Sequence, residues 1–580
     1  MRLYKQATVR RIAVMCLMSL AFIAFIALGA VSVASAQPGT SAATTAQVSV
    51  KPTRQFTVAR KGILDLSKAP TIKPGDAPTS GPPPTFEPQT SQQRAAYEAN
   101  ARKGIGVPPA PAVKKPTTTA PGFASNFVGG GILPLLTKQF DGLNSTQSGN
   151  AAVPDVTIAT DLSYVMEGVS NAVGIYRAST GALAYGPYSA DTFFAPLKIP
   201  GDTFGRPQMY YDVMRDRWIV LWMEYTAVGN SYQSYADIAI STSNSPTQPT
   251  PGGQYYEYRI PTTDFATGEW CYQASLGVEY YTLTLGCTIL TSGNSYLTNW
   301  VVILQKGPML TGANTVSFLW DSAIKTDVFL CGADPCPAFY VSPATEEGVQ
   351  DAEFLVGTGS GYGGTHDHIY LCALTNLANI AAQTPTMACY FTPFPSYSDP
   401  IAPVQAGGAL QPERGMKQIY YKAGHLFLAL TSGFSGPADG VIWAELTPRL
   451  QPSLGNSVYE NSGVLSWGAN QYFFAPALIG SDEGDVALVV NYSNNTGGPT
   501  IMYTGRKASD QANMMAHGTD NANLVPISSA THPSGAWDGA SACAIALNSV
   551  TRGTLWCVGE YQGSVPDPGW NTRIFSLRVE

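Results

Sequence analysis

Charged residues are scarce in this chain, at only 13% of its 580 positions. Helix-forming runs of Ala, Leu, Glu and Lys are also nearly absent after residue 130. These two shortages argue against a mostly helical cytosolic enzyme. The abundant residues, including 30 Tyr and 57 Gly, are typical of all-β extracellular proteins.

Several catalytic and metal-binding motifs are absent too. The chain has no C-x-x-C pair, which argues against zinc and thioredoxin-like sites, and no G-x-S-x-G nucleophile elbow. A glycosidase or lyase needs paired acids or an Arg cluster. No acids stand at diagnostic spacing, so the sequence leaves any catalytic residue unassigned.

The N-terminus has the pattern of an export signal. An apolar run from Ile12 to Val33 follows four basic residues, and the small residues Ala34 and Ala36 then form a cleavage site. Residues 1–36 are therefore predicted to be a signal peptide, which indicates a secreted or cell-surface protein. An uncleaved anchor is the alternative, because the run is long enough to span a bilayer.

Residues 37–125 are rich in Pro, Thr and Ala and are predicted to form a disordered linker. Lys and Arg outnumber Asp and Glu there by 11 to 4, whereas in residues 126–580 the counts are 18 and 36. An acidic body of this kind argues against a nucleic-acid partner. The basic linker could associate with an anionic membrane or cell-wall polymer, or it could be a solvated spacer.

Eight cysteines follow the predicted cleavage site, an even number suited to an oxidising compartment. They occur in close sequential pairs within predicted hairpins, which favours pairing between neighbours. We therefore predict four structural disulfides: Cys271 with Cys287, Cys331 with Cys336, Cys372 with Cys389, and Cys543 with Cys557.

The stretch Tyr210–Tyr225, YYDVMRDRWIVLWMEY, predicts a strand that is apolar on both faces. Trp218, Val220 and Trp222 project to one side of it, while Ile219, Leu221 and Met223 project to the other. An antiparallel strand buried on both sides is expected where sheets stack face against face around an axis.

Approximate repeats of about fifty residues, each with four short strands, support the same architecture. We predict an all-β fold, a β-propeller of about seven four-stranded blades, with six or eight as alternatives, over residues 126–580. The last repeat has only three strands before the chain stops. The segment Leu135–Leu143 is predicted to supply its fourth.

The chain resembles a set of secreted bacterial β-propeller-like repeat proteins of largely uncharacterised function. The resemblance rests on an entry phrase, a G-D-P…D-R-W phrase and a closing W…E-Y…W-x-T-R-I phrase. The matching positions are Phe140, Gly142, Leu143, Pro154, Asp155, Tyr164, Val165, Ile175, Tyr176, Thr180, Gly181, Gly186, Pro187, Gly205, Pro207, Tyr211, Asp212, Asp216, Arg217, Trp218, Trp537, Trp556, Glu560, Tyr561, Trp570, Thr572, Arg573 and Ile574. Arg206 replaces an expected Asp, and Asp538 is shifted by one position. The resemblance implies a propeller fold and assigns no activity.

Two stretches are candidates for metal binding. His366 and His368 share one face of a predicted strand, although a Gly-rich loop with exposed imidazoles is the simpler interpretation. Asp482, Glu483 and Asp485 place three carboxylates in one turn, where calcium is the candidate ion and an ordinary hairpin turn the alternative. No other cofactor is predicted.

The sequence thus favours a noncatalytic extracellular binding or adhesion module, expected to be monomeric, whose ligand is a glycan or a protein. Its site is predicted at one end of the ring, where loops cluster. The alternative is a propeller hydrolase or lyase acting on extracellular glycan. A third hypothesis is a purely structural envelope protein.

Overall fold

The computed structural model describes residues 54–66, 68–73, 134–149, 153–247, 254–321, 330–331, 334–335, 339–349, 352–358, 365–382, 385–406, 408–412, 415–434, 438–450, 454–515, 523–525, 536–537, 541–546, 554–562 and 569–579. All of them belong to one compact unit, which spans Thr45–Glu580. The predicted signal peptide lies outside the described residues. Among the described residues, no helix is long and apolar enough to cross a membrane.

Twenty-eight of the 37 described strands can be grouped into seven antiparallel sets of four, each set built mainly from strands that are consecutive in the chain. Three of the sets are separate sheets and four are joined within one 19-stranded sheet; for brevity each set is called a sheet. Sheet 1 contains β3 (Thr157–Thr160), β4 (Tyr164–Val169), β5 (Ala172–Arg177) and β6 (Leu183–Ser189). Sheet 2 contains β7 (Thr203–Asp212), β8 (Arg217–Val228), β9 (Ser231–Ser241) and β10 (Tyr255–Pro261). Sheet 3 contains β12 (Glu269–Val278), β13 (Thr282–Leu290), β14 (Tyr296–Gln305) and β15 (Thr315–Asp321).

Sheets 4 to 7 continue the pattern along the chain. Sheet 4 contains β18 (Phe339–Pro343), β20 (Ala352–Thr358), β21 (Thr365–Thr375) and β22 (Thr386–Ser398), and sheet 5 contains β26 (Ile419–Lys422), β27 (His425–Phe434), β28 (Ala438–Thr447) and β29 (Val458–Leu465). Sheet 6 contains β30 (Gln471–Gly480), β31 (Val486–Asn494), β32 (Gly497–Arg506) and β33 (Asn523–Leu524). Sheet 7 contains β35 (Ser541–Ala546), β36 (Thr554–Gln562), β37 (Trp570–Arg578) and β2 (Leu135–Asn144).

Short elements connect or border these sheets. They are β1 (Arg54–Leu64), β11 (Thr263–Asp264), β16 (Leu330–Cys331), β17 (Asp334–Pro335), β19 (Thr345–Glu347), β23 (Val404–Gln405), β24 (Gly408–Ala409), β25 (Gln411–Pro412), β34 (Ala536–Trp537), two single-turn helices α1 (Ala190–Phe193) and α2 (Lys306–Leu310), and a 3-10 turn at Leu454–Asn456. The prediction of an all-β propeller is confirmed.

The strand β8 shows why the sheets stack. Trp218 and Trp222 pack in a hydrophobic cluster with Met166 and Val173 of sheet 1. On the opposite face, Ile219, Leu221 and Met223 join a second cluster, which includes Leu285 of sheet 3. Both faces are fully buried, as the sequence pattern predicts. This burial is the main source of the stability that holds neighbouring sheets together.

The strand β2 supplies the fourth strand of the last sheet. It pairs antiparallel with β37, with Leu136 opposite Leu577 and Phe140 opposite Ile574. The predicted pairing of an N-terminal strand with the end of the chain is therefore present. Phe140 also packs on Tyr176 of sheet 1, with ring centroids 5.3 Å apart, so β2 contacts the first sheet as well.

A buried carboxyl group fastens β2 between the first and last sheets. Glu167 on β4 accepts a hydrogen bond through Oε2 from the backbone N–H of Leu143 at 2.8 Å and from the Tyr176 hydroxyl at 3.2 Å. Thr572 Oγ1 on β37 lies 2.5 Å from Glu167 Oε1 and 2.8 Å from Leu143 O. The Thr572 hydroxyl has one proton and can donate it to only one of these two oxygens. When Glu167 Oε1 carries a proton, it donates to Thr572 Oγ1, and the Thr572 hydroxyl donates to Leu143 O, so both contacts are hydrogen bonds. Burial raises the pKa of Glu167 to about 7, in agreement with a protonated carboxyl.

Part of the predicted linker is ordered, which corrects the expectation that residues 37–125 form no fixed structure. Arg54–Leu64 forms β1, whose first half pairs with β15 and whose second half pairs with β10. Val58, Leu64 and Leu66 are buried there. The apolar positions of this short stretch are diluted by the surrounding prolines, so composition over a long window conceals a strand. We call residues 54–66 the strap.

We predict that Glu167→Gln removes one component of the pH dependence of stability. Because the folded-state pKa is raised, the wild-type carboxyl stabilises the fold below pH 4.5, and this contribution is lost as pH rises to about 7. Glutamine reproduces the protonated state, donating to Thr572 and accepting from Leu143. Urea unfolding at several pH values should show the variant matching wild type near pH 4.5 and exceeding it at pH 8, by at most about 1.4 kcal/mol per pH unit of raised pKa.

A second variant separates the charge from the hydrogen bonds. Glu167→Ala leaves the Leu143 N–H and the Tyr176 hydroxyl without their acceptor and should lower the free energy of unfolding at every pH. Equal pH profiles for wild type and Glu167→Gln would contradict the protonated assignment.

Candidate functional site

The two predicted histidines lie at the start of β21 in sheet 4. Their rings are 6.5 Å apart between centroids, and His366 packs on Tyr397 at 5.3 Å. His368 Nδ1 is 3.1 Å from Asp367 Oδ1, and burial lowers the pKa of His368. Within the described ranges, no three His, Cys, Asp or Glu side chains are grouped so that they could hold a metal ion. The structure thus brings this pair together beside aromatic rings.

The acidic turn between β30 and β31 is held by its own hydrogen bonds. Ser481 Oγ accepts from the backbone N–H groups of Glu483 and Asp485, both at 3.2 Å. Asp485 Oδ1 accepts from Ala508 N at 2.9 Å, and Asp482 forms an ion pair with Lys422 at 3.2 Å. The carboxylates of Asp482 and Asp485 therefore have different partners, as in the hairpin alternative; the calcium hypothesis stays a prediction.

Two of the predicted disulfides are formed, Cys372–Cys389 in sheet 4 and Cys543–Cys557 in sheet 7. In both, the cysteines stand directly opposite each other on neighbouring strands, with Cα atoms 4.0 and 4.1 Å apart. The side chains of Cys331 and Cys336 lie outside the described residues.

The predicted Cys271–Cys287 disulfide is wrong for this structure, where both thiols are free and buried. A bulge at Tyr272 shifts the register, so Cys271 stands opposite Ile289 while Cys287 stands opposite Ala274. The two cysteines are therefore diagonal rather than directly opposed. Burial and the adjacent Cys287 raise the pKa of Cys271, which keeps its thiol protonated.

Residues of sheets 2 and 3 and of the segments that precede sheets 1 and 5 form one buried polar network. Asp155, which precedes sheet 1, pairs with Lys417 before sheet 5 at 2.9 Å and with Arg206 of sheet 2 at 3.7 Å. Arg206 also donates to the Tyr272 hydroxyl of sheet 3 at 2.5 Å. Burial acts to raise the pKa of Asp155, but Lys417 and Arg206 outweigh it and lower the value. Arg206, the departure from the resembled pattern, thus compensates a buried acid.

A second buried network surrounds Lys306, whose side chain is only 1% exposed. Its ammonium lies 2.6 Å from Asp212 Oδ2 and also donates to Glu279 O. Glu346 and Glu353 are buried beside it, and both oxygens of Glu353 lack a hydrogen-bond partner. Burial raises the pKa of Glu346 and, together with the nearby Glu346 charge, that of Glu353. Lys306 is therefore paired with Asp212 beside two buried glutamates, Glu346 and Glu353, whose raised pKa favours the protonated form.

A third polar group joins sheets 5 and 6 and was missed by sequence reasoning. His425 Nδ1 is 3.0 Å from Glu445 Oε1, and Asn461 Nδ2 donates to Glu445 Oε2 at 2.7 Å. Arg506, only 2% exposed, is 3.6 Å from the same Oε2. Strand pairing within sheet 5 brings His425, Glu445 and Asn461 together, whereas Arg506 reaches them from sheet 6 through the stacking of the two sheets.

Three turns of sheets 2 and 3 form one surface, which we call the turn patch: residues 227–231, 264–268 and 291–295, with Tyr235. Asn294 Nδ2 donates to Asn230 O at 2.8 Å, which joins two of the turns. The ring of Phe265 is 6.4 Å from that of Tyr235. The turn patch is therefore continuous across two sheets.

The turn patch exposes apolar side chains on a rigid backbone. Phe265 is 57% exposed and Val228 is 47% exposed. Asp264 fixes the turn that carries Phe265, accepting from Ala266 N at 2.9 Å and from Gly268 N at 2.8 Å. Gly268 has φ +74°, a conformation that a residue with Cβ adopts only with strain. An exposed ring on a fixed turn loses little entropy on binding.

The chain matches no known family model and no curated protein at a significant level. Similar solved structures include an α-L-arabinanase of Penicillium chrysogenum, 12% identical with a TM-score of 0.30, covering 64% of this chain and 92% of that one. An exo-β-1,3-galactanase of Clostridium thermocellum is 10% identical, with a TM-score of 0.28. That match covers 77% of this chain and 100% of the galactanase chain. A Synechocystis apocarotenoid oxygenase is 9% identical, with a TM-score of 0.34. That match covers 83% of this chain and 96% of the oxygenase chain. These are propeller-type proteins, and at such low scores they give no information about substrate or chemistry.

We predict that peptide mapping without reduction will find Cys372 linked to Cys389 and Cys543 linked to Cys557. Cys271 and Cys287 should resist alkylation in the native protein, because both are fully buried, and react after unfolding. A Cys271–Cys287 cross-link in the unreduced digest would contradict the observed register.

We also predict that Lys306→Met is strongly destabilising. The change leaves Asp212 and the neighbouring acids without their buried cation, a loss on the order of 3–5 kcal/mol. Lys68→Met is the matched control, since Lys68 forms an exposed ion pair with Asp65 and its loss should cost less than about 1 kcal/mol. Urea unfolding of both variants measures the difference, and similar values for the two would refute the role of Lys306.

Proposed function

We propose that this protein is an extracellular binding module that holds a glycan on the turn patch. The observation that carries the proposal is the exposed ring of Phe265, held on a rigid turn beside Tyr235. Apolar groups exposed together at a loop surface mark interaction sites more often than chance. Aromatic faces suit sugars because they pack against C–H groups while nearby amides and hydroxyls bind the polar edges.

The chemistry of the turn patch supports a neutral glycan over a charged one. Its exposed polar groups include the amide of Asn230 and the hydroxyls of Thr267 and Ser292. Arg259, the nearest cation below Tyr235, lies 4.9 Å from the ring centroid and is engaged by both oxygens of Asp237. Its charge is therefore already balanced within the protein.

An extracellular location belongs to the same proposal. Two disulfides inside folded sheets suit an oxidising compartment. A signal peptide over residues 1–36 would deliver the chain there.

The test is a glycan array probed with the purified protein, followed by affinity measurements on any glycan that binds. We expect Phe265→Ala to weaken binding at least tenfold, as for an aromatic residue at the centre of an interface. Its unfolding free energy should stay within about 0.5 kcal/mol of wild type, because the ring is exposed.

Leu162→Ala is the matched control, since Leu162 is 56% exposed but lies on the β3–β4 turn of sheet 1, outside the turn patch. Equal losses in both variants, or no glycan bound at all, would overturn the proposal. Shortened glycan products would favour a hydrolase or lyase instead. Repeating the array with calcium tests the predicted ion at Asp482, Glu483 and Asp485.

A further inference from the structure

The strap pairs with the edge strands of two neighbouring sheets. Residues Arg54–Ala59 pair with Trp320–Thr315 on the edge of sheet 3, and Arg60–Leu64 pair with Tyr258–Tyr255 on the edge of sheet 2. Leu66 N then donates to the side chain of Gln254 at 2.9 Å. The strap therefore covers strand edges that would otherwise be unpaired.

A carboxyl group with no partner lies directly beneath the strap. Glu257 on β10 is fully buried, and neither of its oxygens has a hydrogen-bond partner. It stands opposite Gly62, where an added Cβ would be 2.4 Å from Glu257 Oε2 and 2.6 Å from Pro196 Cβ. The backbone of the strap and the side chain of Pro196 thus exclude water from this carboxyl.

The surrounding charges do not neutralise Glu257. On β9, Asp237 is engaged by Arg259 of β10 at 2.8 Å, and Glu224 of β8 contacts the same guanidinium. Near α1, Lys198 pairs with Asp191 at 2.7 Å. Asp202 accepts from Thr226 at 2.6 Å. On the strap, Arg60 donates to Gly312 O at 2.6 Å, and Lys61 is exposed.

We propose that the strap is releasable, and that its pairing with β10 is lost when the carboxyl of Glu257 ionises beneath Gly62. An ionised carboxylate without a cation or a hydrogen-bond donor is costly to bury, so water must reach it, and the strap is the cover that stands in the way. Release leaves the edge of β10 unpaired and able to accept a strand. This device is independent of the turn patch and of its proposed ligand.

The direction of the pH effect follows from the burial. Burial raises the pKa of Glu257 to about 8 when the strap is docked. Docking is therefore fully favourable below the ordinary value near 4.5 and weakens as pH rises to about 8, by up to tenfold per pH unit.

Hydrogen exchange of the whole protein between pH 5 and pH 8, corrected for the intrinsic rate, tests the proposal. The amides of residues 60–64, which pair with β10, should open increasingly with pH in wild type, while those of β8 remain protected. In Glu257→Gln, the exchange of these amides should no longer change with pH. Glu167→Gln changes a buried acid that contacts Leu143 and Thr572 rather than the strap, and it should leave the pH dependence of strap exchange as in wild type.

Gly62→Ala provides a second variant, because its methyl group collides with Glu257 and should release the strap at every pH. If amide exchange in the strap depended on pH in the same way in wild type and in Glu257→Gln, the proposal would be overturned. So would opening of β8 together with the strap, because the pH effect would then be global unfolding.

Discussion

Burial of both faces of each sheet is the constraint on which the rest of this structure depends. The central part of β8, residues 218–225, has no solvated side, so each of its large side chains lies between two sheets. Trp218 and Ile219 are consecutive residues, yet they belong to different interfaces. The sheets therefore stabilise one another, and a change on one strand acts on two neighbours.

The same constraint explains the unusual number of buried ionisable groups. Polar side chains that project between sheets cannot reach water, so each needs a partner on the next sheet or must remain neutral. Asp155 has cationic partners on sheets 2 and 5, whereas Glu167, Glu257 and Glu353 have raised pKa values and act as neutral acids. Sheet contacts and proton binding are therefore linked throughout the molecule, and alkaline pH opposes several of these contacts at once.

Binding chemistry, in contrast, lies on the turns. The buried networks lie between different sheets, and the turn patch is formed where three turns of two sheets meet. Phe265 lies on the turn before β12 and is exposed, so it contributes little to the core. Trp270, five residues later on β12, is buried. Residues on exposed turns can change without disturbing the core, so a rigid scaffold with aromatic turns suits ligand recognition.

Much of the fold was determined by local sequence. Alternating and doubly apolar runs set the strands, Gly and Asn set the turns, and the three-strand ending required a partner strand, which β2 supplies. Cysteines directly opposed in simple hairpins also formed the expected disulfides. In each case the physical cause is short-range geometry, with a period of two residues along a strand.

Only the tertiary structure decided the remainder. The bulge at Tyr272 separated Cys271 from Cys287, and two open sheet edges drew Arg54–Leu64 out of a segment with linker composition. The groups around Lys306, around His425 and on the turn patch join residues from different repeats, so no spacing in the sequence encodes them. Their positions depend on how neighbouring sheets stack, a long-range property that residue periodicity does not contain.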